Sequence, residues 1–496
     1  MSLVLSIDVG TTNLKAGVVN EDGQIKAFRR VRSPVHRPEQ GASEHNPSEL
    51  WDLIVSVSRD VASRWKHDIE KIVISTYQLG LVLIDENMQP LGGITLLSDL
   101  RARETHSEFC KTFDTESLYL RTGCPPMFQY PSSRLYYFKK KNPGLYNRTR
   151  YFLSSKDYLL YLFTGEILTE GSIAAATQLF DIRKFKWDES ALEMLDISGN
   201  QLPGVVDGTH TALPVLDSVR RELGLTSTSV EILPGLYDGG ALAVGLSGLA
   251  RGVGVMNIGT SALMRAPGNV PIFDESPDMR LQPYCLTRDV FLNGGALNNA
   301  ALTLNWLRDK VTPLDFNDMP ALCEKKGPPV FCLPYLTGER DARIGAFASG
   351  VFFGLREHHS KRDMLRSIME GVAFSLCMVK ESLDPHNQII SELRIGGGGA
   401  TSRIWTQIFS DVFNSPVSRP EGEETALVGN AMLAFVAWGV YKNLEEAGSK
   451  MIRINDRIDP DPEAVKIYSE YYQFFKTLRS QMAGMFEYHS RLKHIR

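Results

Sequence analysis

Near the N-terminus, Asp8, Gly10, Thr11, Thr12 and Asn13 combine a carboxylate, two hydroxyls and a run of small or polar residues within six positions. The apolar stretch 3–9 runs into them and a second apolar stretch follows at once. That order reads as a strand, a tight turn and a return strand. Gly10 lets the turn form and lets backbone approach a ligand. Successive N–H groups at such a tip make a concavity suited to phosphate oxygens, and Asp8 at the strand end suits a hydrated Mg²⁺. The same residues equally make an ordinary hairpin whose Thr and Asn cap their own turn. The pattern recurs, however: Asn257, Gly259, Thr260, Ser261 and Leu263 line up with Asp8, Gly10, Thr11, Thr12 and Leu14, 249 residues on in a chain of 496. Self-similarity at half the length is what an internal duplication leaves. It predicts two domains, each offering a Gly-Thr hairpin, with a polyphosphate between the tips.

Two more stretches carry chemistry. Gly396, Gly397, Gly398 and Gly399 precede Ser402 and a helical pattern. Four glycines let backbone lie against a planar group, and the helix start adds free N–H donors. A base and ribose fit that description; so does a plain glycine-rich turn. Asp238 lies in Tyr-Asp-Gly-Gly-Ala after an apolar run. A carboxylate flanked by glycines is approachable. Phosphoryl transfer asks a protein for positioning, charge neutralisation and a group to take the proton of the attacking hydroxyl. The competing reading of Asp238 is a helix cap.

These residues need elements to hold them. Asn46 before Pro47 reads as a helix start, with Leu50, Ile54, Val57 and Val61 on one face of a helix running toward Trp65. Strands are expected at 72–76 and 81–85, and strand and helix patterns then alternate, as in an α/β fold. The hinge is placed at 247–252, giving domains 1–247 and 248–496. In the second half, a strand at 291–296 leads to a helix bearing Leu302, Leu304 and Trp306. A long helix covers 361–379, a strand ends at Gly396, and another helix starts near Ser402. Tyr468, Tyr471, Tyr472, Phe475 and Leu478 form a helical stripe that reads as core packing.

Bulk composition narrows the classes. The chain is 43% apolar and 23% charged with a net charge of −4, which gives no reason to expect nucleic acid. The basic residues Arg491, Lys493, His494 and Arg496 are too few to change that. Cys110, Cys124, Cys285, Cys323, Cys332 and Cys377 are scattered without a Cys-x-x-Cys pair, as in a reduced cytoplasmic protein without zinc. No signal-peptide pattern opens the sequence. The longest apolar stretch, near 432–440, is too short to cross a bilayer.

With these motifs in order, the chain resembles the FGGY carbohydrate kinases of the actin-like ATPase superfamily, from residue 3 to about residue 480. The two Gly-Thr stretches match the family's phosphate motifs. Lys156-Asp157-Tyr158 with Thr164-Gly165-Glu166, and Leu333-Pro334-Tyr335-Leu336-Thr337-Gly338-Glu339-Arg340, resemble two further family runs. Gly350 to Leu355 and the residues from Asp363 to Glu370 fit a diagnostic pattern, and Gly397, Gly398, Gly399, Ala400 and Ser402 resemble the adenosine motif.

The resemblance implies two actin-like (ribonuclease H-like) ATPase domains around a central cleft. It also implies ATP and Mg²⁺ as cofactors, and transfer of the γ-phosphate to a hydroxyl of a small sugar, polyol or sugar acid. Asp238 takes the place of the catalytic base and Asp8 that of the Mg²⁺-associated aspartate. Gly10, Thr11, Thr12, Asn13 and Lys15 would face the β- and γ-phosphates, with Gly259 and Thr260 opposite. Gly398, Gly399 and Ser402 fall at adenine and ribose contacts. Asn305 and Ala301 fall at further nucleotide contacts, Ala301 replacing a more usual glycine.

On the sugar side the implied contacts are Tyr77, Gln78, Asp99, Arg101, Gln129, Asp238 and Gly239. Here the chain departs from the xylulose kinases' pattern. Tyr77, Gln78 and Leu79 replace Gln, Met and His, Leu97 replaces a tryptophan, and Arg134 and Tyr137 replace Lys and Trp. Altered specificity and drift on a packing surface both account for this; glycerol is not an expected substrate. Glu339 and Arg340 read as an ion pair or as substrate contacts. A homodimer is an expectation by analogy. Two rival classes remain: a protein-directed actin-like ATPase, and a sugar sensor without catalysis.

Overall fold

The computed structural model describes residues 2–313 and 329–492. Cys323, Lys493, His494 and Arg496 lie outside the described residues. In the first half, β1 (Leu3–Val9), β2 (Asn13–Asn20) and β3 (Ile25–Arg32) form an antiparallel meander, all seven residues of β1 being buried. Helix α1 (Pro47–Ala62) starts where the sequence marks it: Asn46 accepts from the Ser48 and Glu49 amides, and Pro47 occupies the first turn. β4 (Lys71–Thr76) and β5 (Glu231–Leu233) then add in parallel, giving the order β5-β4-β1-β2-β3 with a short edge strand at Leu213–Pro214. Strands buried on both faces read as continuous apolar runs, which is why β1 and β4 stand out in the sequence. Between β4 and β5 lies α2 (Ser155–Thr164), opened by a Ser154–Asp157 capping box.

α3 (Asp238–Ser247) follows β5 and leads into the second half. There β6 (Val253–Ile258), β7 (Ala262–Gly268), β8 (Phe291–Leu297), β9 (Glu392–Gly396) and β10 (Val417–Pro420) take the order β10-β9-β6-β7-β8. β6-β7-β8 is antiparallel and β6-β9-β10 parallel, so these five strands repeat the five of the first sheet, and edge strands at Tyr284–Cys285 and Ile454–Ile458 extend the second. The repeated hairpin is thus one part of a repeated sheet. Around it pack α4 (Ala301–Trp306), α5 (Lys361–Leu383), α6 (Arg403–Phe413), α7 (Thr425–Ala437) and α8 (Pro462–Ser490). On α8, Tyr468, Tyr472, Phe475 and Leu478 are buried in a core shared with Phe331 and Phe374, the packing role read from their spacing.

The halves exchange helices. α3 follows a strand of the first sheet but packs on the second: Leu246 touches the position a Cβ on Gly396 would take, and its carbonyl accepts from Arg394 Nη1 at 3.1 Å. α7 follows a strand of the second sheet but packs on the first. Ser6 Oγ donates to Leu427 O (3.0 Å), and Asn430 Nδ2 donates to Ile7 O (3.2 Å) and Ser75 Oγ (2.9 Å). The two helices meet at Gly245 and Gly429, where a Cβ would collide with the carbonyls of Thr425 and Ala241. A division at residue 247 therefore falls at the end of a helix that its own half has lent away. Among the described residues, five cysteines are unbridged and no helix is long and apolar enough to cross a membrane.

Candidate active site

Both hairpin tips are tight turns. Gly10 N donates to Asn13 O (3.0 Å) and Gly259 N to Ser261 O (2.9 Å). The second tip is seated on the start of α4: the Ala300 and Leu302 amides donate to Thr260 O (3.0 and 3.2 Å), and the Ala301 amide to Gly259 O (3.0 Å). Between the tips opens a cavity of about 640 Å³. The first half lines it with Asn13, Lys15 and Arg30, the second with Gly259, Gly396, Gly397 and Gly398. Two hairpins and the glycine run, far apart in sequence, thus share one space. Thr11 is half-buried, while Thr12 and Thr260 are exposed at the tips.

Three residues expected at the nucleotide have other work. Gly399 is buried, and a Cβ there would run into Ile258 and come within 3.0 Å of the Trp405 ring; its need for glycine is packing. Ser402 Oγ caps α6 by accepting from Trp405 N (3.3 Å). Ala301 spends its amide on the hairpin, as above. Asn305 is half-buried on α4 and, like Ala301, is not among the cavity's lining residues.

Asp238 is the first residue of α3, partly exposed, its Oδ1 accepting from the Gly239 amide (2.8 Å). Burial, then repulsion from Asp8, pushes its carboxyl up to about 7, against the pull of Gly239 N–H, Lys156 and Lys15. Asp8 is the last residue but one of β1, directly opposite Lys15 and Ser75 in the sheet register. It accepts from Ser75 Oγ at 2.7 Å and lies 3.9 Å from Lys15 Nζ, yet burial still holds its carboxyl above the ordinary range. Lys15 also meets Glu424 at 2.9 Å, and Arg30 pairs with the same carboxylate.

The segment before Asp238 is held by residues to which sequence reading assigns no role, Lys156 entering it only as part of a family run. Lys156, fully buried on α2, donates to Pro234 O (2.8 Å), Leu236 O (2.7 Å) and Glu170 Oε1 (3.2 Å). Glu170 accepts from Ser172 N (2.6 Å) and Ser172 Oγ (2.8 Å), and Ser172 Oγ accepts from Tyr237 N (3.0 Å). A lysine among apolar helix neighbours was the available signal; nothing local marks Glu170 or Ser172. Gly239 is also required: a Cβ would lie 2.6 Å from the Tyr237 ring folded beneath it.

On the sugar side, Gln78 and Gln129 are half-buried. Gln78 Nε2 donates to Ser172 O (3.3 Å), while Gln129 has no hydrogen-bond partner among the described residues. Tyr77 turns inward: its hydroxyl donates to His45 Nδ1 (3.1 Å), and His45 Nε2–H donates to Thr11 O at the hairpin tip (3.1 Å). A carbonyl only accepts, which fixes this tautomer, and burial lowers the His45 pKa.

Asp99 and Arg101 are not free for a sugar, contrary to expectation. Asp99 accepts from Ser43 N (3.1 Å) and from Arg101 Nη2 (2.6 Å), and Arg101 also binds Glu39 (2.8 Å) and Glu44, so every edge of the guanidinium is taken. Arg134 is likewise structural. Fully buried, it donates to Leu79 O, Leu96 O and Thr95 Oγ1, bracing the segments around Leu79 and Thr95 against each other, and burial pulls its pKa down to about 10. Glu339 and Arg340 are not an ion pair: Glu339 Oε1 accepts from the Asn298 and Arg340 amides (3.0 and 2.8 Å), and Arg340 Nε donates to Asn298 Oδ1 (2.9 Å).

Models of the FGGY family of carbohydrate kinases match residues 3–245 (N-terminal domain) and 254–438 (C-terminal domain). The chain is 26% identical to a gluconokinase of Bacillus subtilis (strain 168), the match covering 96% of this chain and 95% of that protein. It is 28% identical to a xylulose kinase of the same strain over 96% and 97%. A ligand-bound xylulose kinase from Lactobacillus acidophilus superposes with TM-score 0.91 at 24% identity, covering 98% and 99% of the two chains. A gluconate kinase from the same organism gives 0.90, also at 24% and with the same coverage; both structures share the fold.

Proposed function

The chain belongs to the FGGY family of carbohydrate kinases, enzymes that move a phosphate from ATP to a carbohydrate hydroxyl, and we propose that Asp238 is the base that readies that hydroxyl. The observation that carries the reading is the shared cavity. Both hairpins and Gly396, Gly397 and Gly398 converge on it, and its wall residue Lys15 reaches back to Asp8 beside Asp238. ATP lies in this cavity, its adenosine against Gly397 and Gly398 and its phosphates toward the two tips. Thr11, Thr12, Asn13 and Lys15 hold them from one side and Gly259 and Thr260 from the other. Tip amides, hydroxyls and the Lys15 ammonium offset the charge of the transferring phosphoryl group. The carbohydrate lies against Gln78, Gln129 and Gly239, with one hydroxyl on Asp238. A carboxylate with a pKa near 7 suits this role, since it is half ionised at neutral pH and still basic enough to accept the proton.

Mg²⁺ fits the donor set. Asp8 and Asp238 oppose each other's ionisation, and a hydrated dication bound through one or two carboxylates and phosphate oxygens relieves that opposition. Asp8 would hold it, and it would supply neutralisation of the phosphate oxygens. The intact pair of carboxylates argues against a non-catalytic sensor, and a protein-directed ATPase has no use for the sugar-side segments. ATP dependence favours the cytoplasm, and a homodimer is carried over by analogy alone. The substrate is a small sugar, polyol or sugar acid. A screen of ATP consumption over ketoses, polyols and sugar acids tests the reading. Carbohydrate-dependent turnover is the expected result; turnover without carbohydrate, or none, contradicts it.

A further inference from the structure

Arg265 lies on β7. Its neighbours in alternation, Ala262, Met264 and Ala266, point into the core of the second half, so Arg265 points the other way, toward the first half. It is 3% exposed, with Nη1 donating to Gly294 O (2.7 Å) and Gln282 O. Its guanidinium carbon sits 4.7 Å from the centroid of the Tyr284 ring. That ring stands 5.4 Å from the ring of Tyr237, the residue before Asp238. Arg265 therefore backs the same segment that presents the proposed base. Yet its Nε is buried without a hydrogen-bond partner, and no carboxylate pairs with it among the described residues.

One more buried group nearby shares that condition: the hydroxyl of Tyr237 also lacks a partner. The Tyr130 hydroxyl is buried beside Tyr284 and Cys124. Arg340, half-exposed and without a carboxylate partner among the described residues, adds its charge to Tyr130 and Tyr284. Buried polar groups are normally satisfied, and unsatisfied ones in a native fold call for a cause. These are donors around positive charge, so what completes them is an anionic acceptor. The Nε edge of a guanidinium matches the two oxygens of a carboxylate. Nothing in a ketose or polyol supplies that charge.

We propose that Arg265, with the hydroxyl of Tyr237, recognises the carboxylate of a sugar acid, so that the substrate is an aldonate-type polyhydroxy acid held with its carboxylate toward Arg265 and a hydroxyl on Asp238. The proposal rests on the kinase reading above. Its test is a panel of five- and six-carbon aldonates, gluconate among them, each beside the alditol and ketose of the same length and a sugar phosphate. The wild-type enzyme should show its highest kcat/KM on an aldonate. Arg265→Gln should lower the ratio of aldonate to alditol kcat/KM about 10- to 100-fold, the range for losing a charge-assisted hydrogen bond. Because Arg265→Gln also loses bonds to two carbonyls, Tyr237→Phe is the second variant. It keeps the ring beneath Gly239 and deletes a hydroxyl that has no partner among the described residues, so it should lower the same ratio without lowering the melting temperature. A wild-type preference for a ketose, polyol or sugar phosphate overturns the proposal and leaves the kinase standing. So does an Arg265→Gln variant whose rates on acid and alditol fall together. If no carbohydrate supports ATP consumption, the kinase reading falls and this proposal with it.

Discussion

As the proposed base, Asp238 would trade stability against activity. Its carboxyl sits near 7 in the fold against an ordinary value of 3.8, so the folded protein holds a proton that the unfolded chain releases. Where the native state binds more protons, stability falls as pH rises. The contribution is therefore full below about pH 4 and is lost progressively up to about pH 7. Asp238→Asn, which keeps the shape without the charge, should gain melting temperature over wild type between pH 5 and 8. Over the same range wild-type kcat/KM should climb with an apparent pKa near 7, as the base ionises. Parallel melts and a pH–rate profile check both; a flat difference in melting temperature contradicts the assigned environment.

At this scale the sequence was legible where local structure is carried by neighbours in the chain: the two tight hairpin turns and the helix start at Asp238 lie in short runs whose spacing is itself the signal. Asp99 and Arg101 were misread because two residues a turn apart say nothing of Glu39 and Glu44, which claim the guanidinium first. Glu170 and Ser172 went unseen, and Lys156 was noted in a family run without a role, for the same reason: their partners are set by folding, not by spacing.

Among elements, the link from β4 to the first hairpin is the least expected. β4 ends at Thr76, and Tyr77 reaches through His45 to the carbonyl of Thr11. A hairpin tip exposed at Thr12 is steadied from behind by a buried histidine. Tyr77→Phe removes the hydroxyl and leaves His45 Nδ1 buried without a donor, which should cost about 1–3 kcal/mol in urea unfolding. It should also raise the KM for ATP several-fold by loosening the tip. Unchanged ATP affinity would confine the link to a packing role. Helix starts at Asn46 and near Ser402 were readable from the residues around them, and the aromatic face of α8 from its period; the capping box at Ser154 was not read. Gly399 was not, since a glycine that clears Ile258 and Trp405 looks in sequence like one that clears a ligand.

For the whole molecule, the duplication is visible twice, in the hairpin motif and in five strands that take the same order in both sheets. The exchange of α3 and α7 had no signature beyond Gly245 and Gly429, because which sheet a helix covers is decided by packing after the chain has turned back. Their crossing couples the two hairpins, since each helix is anchored to the opposite sheet. Gly429→Ala should force the helices apart, costing about 1–3 kcal/mol by overpacking, and should lower kcat as the tips lose register. Thermal melts together with steady-state kinetics check this, and wild-type kcat in a folded Gly429→Ala protein would show that the crossing does not set the tips.

The most direct measurement of the central claim is carbohydrate-dependent ATP consumption by wild type and Asp238→Asn, with nucleotide affinity measured on both. The account predicts that Asp238→Asn binds ATP about as wild type does and loses phosphoryl transfer by about 10²-fold or more, the scale of a positioned acid–base group. An Asp238→Asn enzyme that turns over carbohydrate at close to the wild-type rate would contradict it.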